Sequence, residues 1–264
     1  MKTHLLIIDP QVDFCTPTGA LYVKGAEKDI SRIAAFIKKN GNALADIHVT
    51  LDSHQLVHIA HPIFWVDANG GHPNPFTVIT EADVEGKNPK WKTTSPALRQ
   101  RGIDYVKNLA AGGRYALVIW PPHCLIGTPG HNIMPELSDA LRGWQEKLRL
   151  VRYVTKGSNP LTEHYSAVKA DVVDPLDAGT QINTTLIETL QEADRILIAG
   201  EALSHCVANT VRDIAAEFGD DQIKKLVLLE DAASPVTSFE KLGEDFIKEM
   251  KAKGMKIETT ANVL

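Results

Sequence analysis

The sequence predicts an α/β fold with a mainly parallel sheet covered by helices on both sides. Three observations carry that expectation. Short β-rich apolar runs recur along the 264 residues, stretches with helical periodicity lie between them, and turn-forming residues bound the runs. A strand covered on both faces reads as a continuous apolar run, whereas a half-exposed strand alternates.

The elements follow in chain order. Residues 5–9 form the first run, 30–39 an amphipathic helix and 45–51 the second strand. From 61 to 119 the rhythm breaks into a stretch rich in Pro, Gly and Asn (His72-Pro-Asn-Pro-Phe76, Gly86-Lys-Asn-Pro-Lys-Trp91), with a helix over 96–110 and an apolar stretch over 115–120. Structureless loops of this size are uncommon and usually functional. Residues 61–119 are therefore read as an insertion with its own small structure, folded over the site or onto a partner subunit. Beyond it come strands at 151–155, 196–199 and 226–230, and helices at 182–192, 207–218 and 239–253. All five strands are expected to be buried on both faces. Without repeats or a low-complexity linker, 1–264 is read as a single domain carrying the insertion.

Composition narrows the function. At 44% hydrophobic and 23% charged residues the chain is of ordinary globular make-up, and a net charge of -5 leaves no basic footprint for nucleic acid. The first apolar run is too short for a signal peptide, and no stretch has the length of a membrane span. Cys15, Cys124 and Cys206 are scattered and odd in number, which argues against a disulfide framework and for a reducing, cytoplasmic setting.

Parallel α/β sheets place their chemistry outside the C-terminal strand ends. There the sequence sets Asp9 after the first strand, Asp52-Ser-His54 with His58 and His61 after the second, Lys156-Gly157 after the third and Cys206 after the fourth. Cys206 falls where a helix begins, and a helix N-terminus favours thiolate over thiol. The competing reading is a buried structural thiol, a common state of free cysteine. Singly, Asp9 before Pro10 could merely end a strand and Lys156 an exposed one. Together an Asp, a Lys and a Cys make a working set: the acid takes the thiol proton, the ammonium stabilises the anion and the thiolate attacks a carbonyl. Asp13 is read as support for its loop.

Asp52, His54 and His123, the last on a proline-fixed turn, offer donors that suit zinc, iron or manganese. His58 stays open between ligation, ligation through water and none. His48, His61, His72, His131 and His164 are read as surface or hydrogen-bonded core residues, and Cys124 as packing.

As a set, these residues resemble the isochorismatase-like cysteine hydrolases, and within them the nicotinamidase/pyrazinamidase branch. The resemblance rests on Asp9-x-Gln11-x-Asp13-Phe14, Asp52-x-His54-x3-His58-Ile59, Trp120-Pro-Pro-His123-Cys124, Lys156-Gly157 and Gly200-x-Ala202-x3-Cys206-Val207, which span most of the chain but not 61–119. It implies a three-layer α/β/α fold around a mostly parallel six-stranded sheet. It also implies hydrolysis of nicotinamide to nicotinate and ammonia through a thioester, with pyrazinamide as a second substrate and a place in pyridine nucleotide salvage. Asp9 becomes the general base, Lys156 the charge stabiliser and Cys206 the nucleophile. Asp52, His54 and His123 become ligands of a divalent metal, zinc foremost with iron or manganese as options, and His58 a candidate fourth. A non-proline cis peptide is implied at Glu201–Ala202, with an oxyanion hole from the N–H groups of Ala202 and Cys206. Phe14 and Trp120 would flank the substrate ring and Tyr165 close the pocket. The partners expected are a small-molecule amide and further copies of the chain, with no nucleic acid and no membrane.

Two features depart from that pattern. Leu203-Ser204-His205 stands where many members carry Thr-Asp-Tyr or Thr-Asp-Val, and the long 61–119 segment could reshape the pocket mouth. One alternative is therefore a related carbon–nitrogen hydrolase acting on a carbamoyl, ureido or aliphatic amide. Another is a metallohydrolase in which Cys206 is structural. A nucleotide-binding oxidoreductase is disfavoured, because the first strand leads into Asp9-Pro10-Gln11 and not a glycine-rich turn. His205 beside Cys206 suggests a Cys–His pair, but adjacent side chains at a helix start diverge.

Overall fold

A computed structural model describes residues 1–264. Its centre is a sheet of β1 (Thr3–Ile8), β2 (Leu44–Asp52), β3 (Val151–Lys156), β4 (Arg195–Gly200), β5 (Leu226–Leu229) and β6 (Lys256–Glu258). The strands lie in the order β6-β5-β4-β1-β2-β3, and every neighbouring pair is parallel. The sheet is thus wholly rather than mostly parallel.

That order fixes the layers. The chain winds outward from β1 to β2 and β3, returns to the far side of β1 as β4, and winds the other way to β5 and β6. Crossovers between parallel strands are right-handed, so the helices of the two halves fall on opposite faces. In the first half α1 (Ala26–Asn40) and α3 (Pro135–Gln145) pack on each other. In the second, α5 (Ala208–Phe218) packs on both α4 (Thr184–Gln191) and α6 (Glu240–Ala252). The remaining long helix, α2 (Arg99–Gly112), belongs to the 61–119 segment, and single helical turns stand at Val12–Cys15 and Glu81–Val84.

Burial follows strand position. Leu5, Leu6, Ile7 and Ile8 of β1 are fully buried; each such side chain contributes about 1.5–3 kcal/mol of transfer free energy. β3 corrects the expectation of burial on both faces, because Arg152, Tyr153 and Thr155 are exposed. It lies at the sheet edge and covers β2 from one side only.

Within 61–119, two antiparallel ribbons form, Trp65–Val66 with Lys92–Thr93 and Val78–Ile79 with Leu117–Val118. The expected helix over 96–110 begins as a 3-10 turn, Pro96–Leu98, before α2. The segment docks on the main body. Trp65 Nε1 donates to Ile59 O at 2.6 Å, and Tyr105 Oη accepts the Glu163 N–H at 3.1 Å. No helix is long and apolar enough to cross a membrane.

Candidate active site

Winding reverses between β4 and β1, so their loops leave toward opposite faces and open a crevice at the C-terminal edge. Four adjacent strands, β4, β1, β2 and β3, end there about 4.8 Å apart. Side chains from neighbouring strand ends are therefore within reach of one another.

Asp9 follows β1 in the left-handed region (φ 43°), a conformation that Asp tolerates better than most residues. It is fully buried and locked to β2: its N–H donates to Thr50 Oγ1 at 3.0 Å, and the Thr50 hydroxyl donates to Asp9 Oδ1 at 2.5 Å. Lys156 ends β3 opposite Asp52. Its ammonium lies 2.8 Å from Asp9 Oδ2 and 3.1 Å from Asp52 Oδ1, donates to His164 O at 3.0 Å and reaches Cys206 Sγ at 3.6 Å. One buried cation thus bridges two carboxylates and the thiol.

Burial works against the Lys156 charge, yet Asp52 and Asp9 hold the amine well above its ordinary range. Burial raises the Asp9 carboxyl, against the pull of Lys156, which suits a group that must accept a proton. It also pushes the Cys206 thiol well up, Lys156 opposing. Burial thus works against the helix-start argument for a thiolate, because Cys206 sits in a buried π-helical turn, Leu203–Val207, directly before α5. Lys156 holds Asp9 and the thiol on one ammonium.

Cys206 is reached through Gly200 (φ 105°), where a Cβ would stand 2.1 Å from Ile8 O, and through a cis Glu201–Ala202 peptide. The Ala202 N–H makes no hydrogen bond within the chain. It is free for a ligand oxygen.

Asp52, His54 and His123 converge beside this group, all buried, with ligand atoms within 4.8 Å of one another. His54 Nδ1 lies 3.1 Å from Gly157 O and His123 Nδ1 lies 2.8 Å from Pro121 O. A carbonyl only accepts, so each Nδ1 is held as a donor and each Nε2 is turned toward Asp52 Oδ2, at 3.0 and 3.5 Å. Burial opposes charge on His54, yet Asp52 raises its imidazole, so in the ion-free site Nε2–H donates to the carboxylate that a cation would otherwise share with it. Ligand atoms around a tetrahedral ion with bonds of about 2.0–2.1 Å are about 3.3 Å apart. The donor set therefore fits a divalent cation. Gly157 (φ 80°) makes room, since a Cβ would stand 2.8 Å from both Asp52 Oδ1 and His54 Cε1.

His58 is also in the cluster, but its Nε2 donates to Thr162 O at 3.1 Å and its Nδ1 accepts from Ala60 N at 3.2 Å. Both nitrogens are committed to backbone. Glu163, which sequence reasoning missed, lies 4.0 Å from His54 and forms a second possible ligand group with His54 and His58.

A narrow cavity opens over Cys206 between Phe14, Trp120 and Tyr165, with Asp52 and His123 in its lining. Trp120 Nε1 donates to Tyr165 Oη at 2.8 Å, which fixes one wall. All the residues singled out from the sequence as reacting, ligating or pocket groups meet at this one edge, His58 on its rim.

No family model matches the chain. A nicotinamidase of Saccharomyces cerevisiae is 27% identical over 259 residues, spanning 97% of this chain and 99% of that one. The crystal structure of the yeast nicotinamidase bound to the inhibitor nicotinaldehyde superposes with a TM-score of 0.67 at 21% identity, covering 97% and 99% of the two chains. A Pyrococcus horikoshii pyrazinamidase in complex with zinc gives 0.59 at 23% identity, covering 98% and 99%. The chain is thus similar in sequence to a nicotinamidase and shares its fold with nicotinamidase structures.

The other polar residues singled out from the sequence are accounted for. Asp13 supports its loop, accepting from Ala20 N at 3.1 Å and Cys124 N at 2.7 Å. His72 and His131 are hydrogen-bonded to Trp65 O and Ser53 Oγ, and His164 Nδ1 accepts from Gly157 N. His61 is buried with its Nδ1 on Leu56 O. His48 bonds His4 at 3.3 Å, and Asp46 beside them is taken by Arg152. His205 is not paired with Cys206: its Nδ1 is 2.9 Å from Ser204 Oγ and its ring stacks on Tyr115. Tyr115 and Thr50 were also missed, since long-range packing and not local pattern brings them to the site.

Proposed function

We propose that the chain hydrolyses nicotinamide to nicotinate and ammonia through a thioester on Cys206. The observation that carries this reading is the contact of Cys206 Sγ with Lys156, whose ammonium also holds Asp9, at the floor of an aromatic-walled cavity. The nicotinamidase relative and the nicotinaldehyde-bound structure support the substrate.

Asp9 removes the thiol proton as Sγ bonds the carboxamide carbon, and Lys156 keeps the new anion and Asp9 in register. The carbonyl oxygen, now negative, turns to the N–H groups of Ala202 and Cys206, donors fixed before the reaction begins. Asp9 returns its proton to the amide nitrogen, the C–N bond breaks and ammonia leaves. Water then attacks the thioester, with Asp9 again taking the proton, and nicotinate and free thiol result. Phe14, Trp120 and Tyr165 hold the ring. Asp52, His54 and His123 would hold a divalent ion, zinc by its donor set and by the zinc-bound relative, which supplies a Lewis-acidic anchor for the pyridine nitrogen. With both its nitrogens on backbone, His58 is assigned to shaping that pocket and not to ligation.

We read 1–264 as one domain, with 61–119 as a support packed behind residues that line the site. Tyr105 from that segment supports Glu163, and Tyr115 packs on His205. Three buried free cysteines are consistent with a cytoplasmic setting. Exposed Leu148, Leu150 and Leu176 are candidates for contact between copies of the chain.

Zinc-loaded protein incubated with nicotinamide, pyrazinamide, a ureido compound and an aliphatic amide should release ammonia fastest from the aromatic carboxamides. Release from only the ureido or aliphatic compound would replace this substrate with the related carbon–nitrogen one. Cys206→Ala should lose at least about 10³-fold in kcat; near-wild-type turnover would leave the cysteine structural and the metallohydrolase reading standing.

A further inference from the structure

Glu201, the residue before the oxyanion donor Ala202, is completely buried and takes no part in the chemistry above. Its Oε2 accepts from Ser234 N at 3.1 Å, while its Oε1 has no donor. Ser234 joins it to Asp29, in the first turn of α1 and 4% exposed, because the Ser234 hydroxyl donates to that second carboxyl. Asp29 is already supplied with donors: Arg32 Nη1 gives to its Oδ1 at 3.0 Å and Ser234 Oγ to its Oδ2 at 2.5 Å. Two carboxyl groups buried around one serine, with Arg32 alone beside them, are accommodated by keeping a proton on one, because an ionised carboxylate only accepts and like charges repel. The orphaned Oε1 is the oxygen that needs it.

The charges around the pair agree with that placement. Arg32 serves Asp29, Glu27 of α1 adds negative charge to both, and the neighbouring Cys15 is a thiol pushed well up by burial and then by Glu201. No cation serves Glu201. Burial, followed by Asp29, holds its carboxyl well above the ordinary range.

Ser234 joins the two sides of Ala202. It donates its N–H to Glu201, one residue before Ala202, and its carbonyl accepts the Leu203 N–H at 2.8 Å, one residue after. Two residues further on, Val236 N donates to Ser204 Oγ at 3.0 Å. The loop after β5 is thus zipped along the segment that leads to Cys206.

We propose that Glu201 is a positioning residue, a neutral carboxylic acid that shares its proton with Asp29 and, through Ser234, fixes the Ala202 N–H as an oxyanion donor. The proposal rests on the reading of Ala202 in the thioester mechanism. It explains why an acid stands between Gly200 and Ala202 without facing the substrate.

The test compares Glu201→Gln with Glu201→Leu in the full, zinc-loaded chain, using the amide the wild type turns over best. Glutamine can donate to Asp29 and accept from Ser234, so its kcat should stay within about 3-fold of wild type, whereas leucine can do neither. Glu201→Leu should lower kcat at least about tenfold, toward the loss of an oxyanion donor, with KM within about 3-fold. Wild-type kcat in Glu201→Leu, or an equal loss in both variants, overturns the positioning role. Independently of folding in the leucine variant, the infrared difference spectrum of wild type against Glu201→Gln at neutral pH should show the carbonyl band of a protonated carboxylic acid. Its absence overturns the shared proton. A chain that hydrolyses none of the amides fails the functional reading instead, and the infrared result still stands or falls by itself.

Discussion

Replacing Gln11 by leucine removes three hydrogen bonds beside the proposed metal ligands. The fully buried carboxamide donates Nε2–H to Asp52 O at 2.7 Å and to His131 O at 3.0 Å, and its Oε1 accepts the Asp52 N–H at 2.7 Å. Leucine fills similar space but leaves the Asp52 N–H and C=O without those partners. An unpaired buried polar group costs about 1–3 kcal/mol. With two groups stranded on Asp52 and the His131 carbonyl partly solvated, the loss comes to about 3–5 kcal/mol. At about 2–4 °C per kcal/mol for a chain of this size, the melting temperature should drop by about 10 °C. Asp52 would also lose the clamp that aims its carboxylate, so zinc affinity should fall about 10–100-fold, as for other outer-shell supports. Calorimetry of the zinc-free variant and competitive zinc titration measure the two effects separately. A melting temperature within about 2 °C of wild type, with unchanged zinc affinity, would refute the clamp and leave strand pairing alone to hold Asp52.

Three further outcomes follow. Asp52→Ala and His123→Ala should each lose stoichiometric zinc on dialysis, by elemental analysis, whereas His58→Ala should keep its zinc and lose stability; zinc loss in His58→Ala would make it a ligand. Tyr165→Phe removes the acceptor of the Trp120 indole N–H and should raise KM about fivefold, equivalent to about 1 kcal/mol, at unchanged kcat in steady-state assays; unchanged KM would take that wall out of substrate binding. Because the folded state raises the Glu201 carboxyl, the native protein keeps a proton that the unfolded chain releases above about pH 4.3. Stability should then fall as pH rises from there toward the native value, by up to about 1.4 kcal/mol per pH unit. Glu201→Gln lacks that slope, so its advantage in melting temperature should widen from pH 5 to pH 8; a constant difference contradicts the raised carboxyl.

Much of this architecture was legible because the interior strands have no polar face to show. Residues 5–8 and 196–199 are apolar at every position, as burial on both sides of a parallel sheet demands. At the edges that signal fails. β6, Lys256–Glu258, is three residues long with exposed and half-buried side chains, and nothing marks it as a strand except the partner it finds in β5. α3 did leave a trace, Pro135 at its first turn and Leu137, Ala140, Leu141 and Trp144 at helical spacing, which the sequence reading passed over. The reacting and ligating residues were readable because each sits at the end of a run that predicts a strand. Glu163, Thr50 and Glu201 were not. Their roles depend on which neighbours tertiary packing brings, and on burial that reverses the ordinary ionisation of an acid. The same burial works against the local helix-start argument at Cys206.

The reversal of winding between β4 and β1 has a consequence for how the protein comes to life after synthesis. Base, cation and nucleophile hang from three different strands, and Asp9 and Cys206 are separated by most of the chain. No hairpin or local helix pair can hold any two of them, so the site is made entirely from contacts of long sequence separation, the kind that form slowly. Regain of turnover on refolding should therefore trail the regain of helix, and a nascent chain stopped before β4 would carry a base and a cation with nothing to act on.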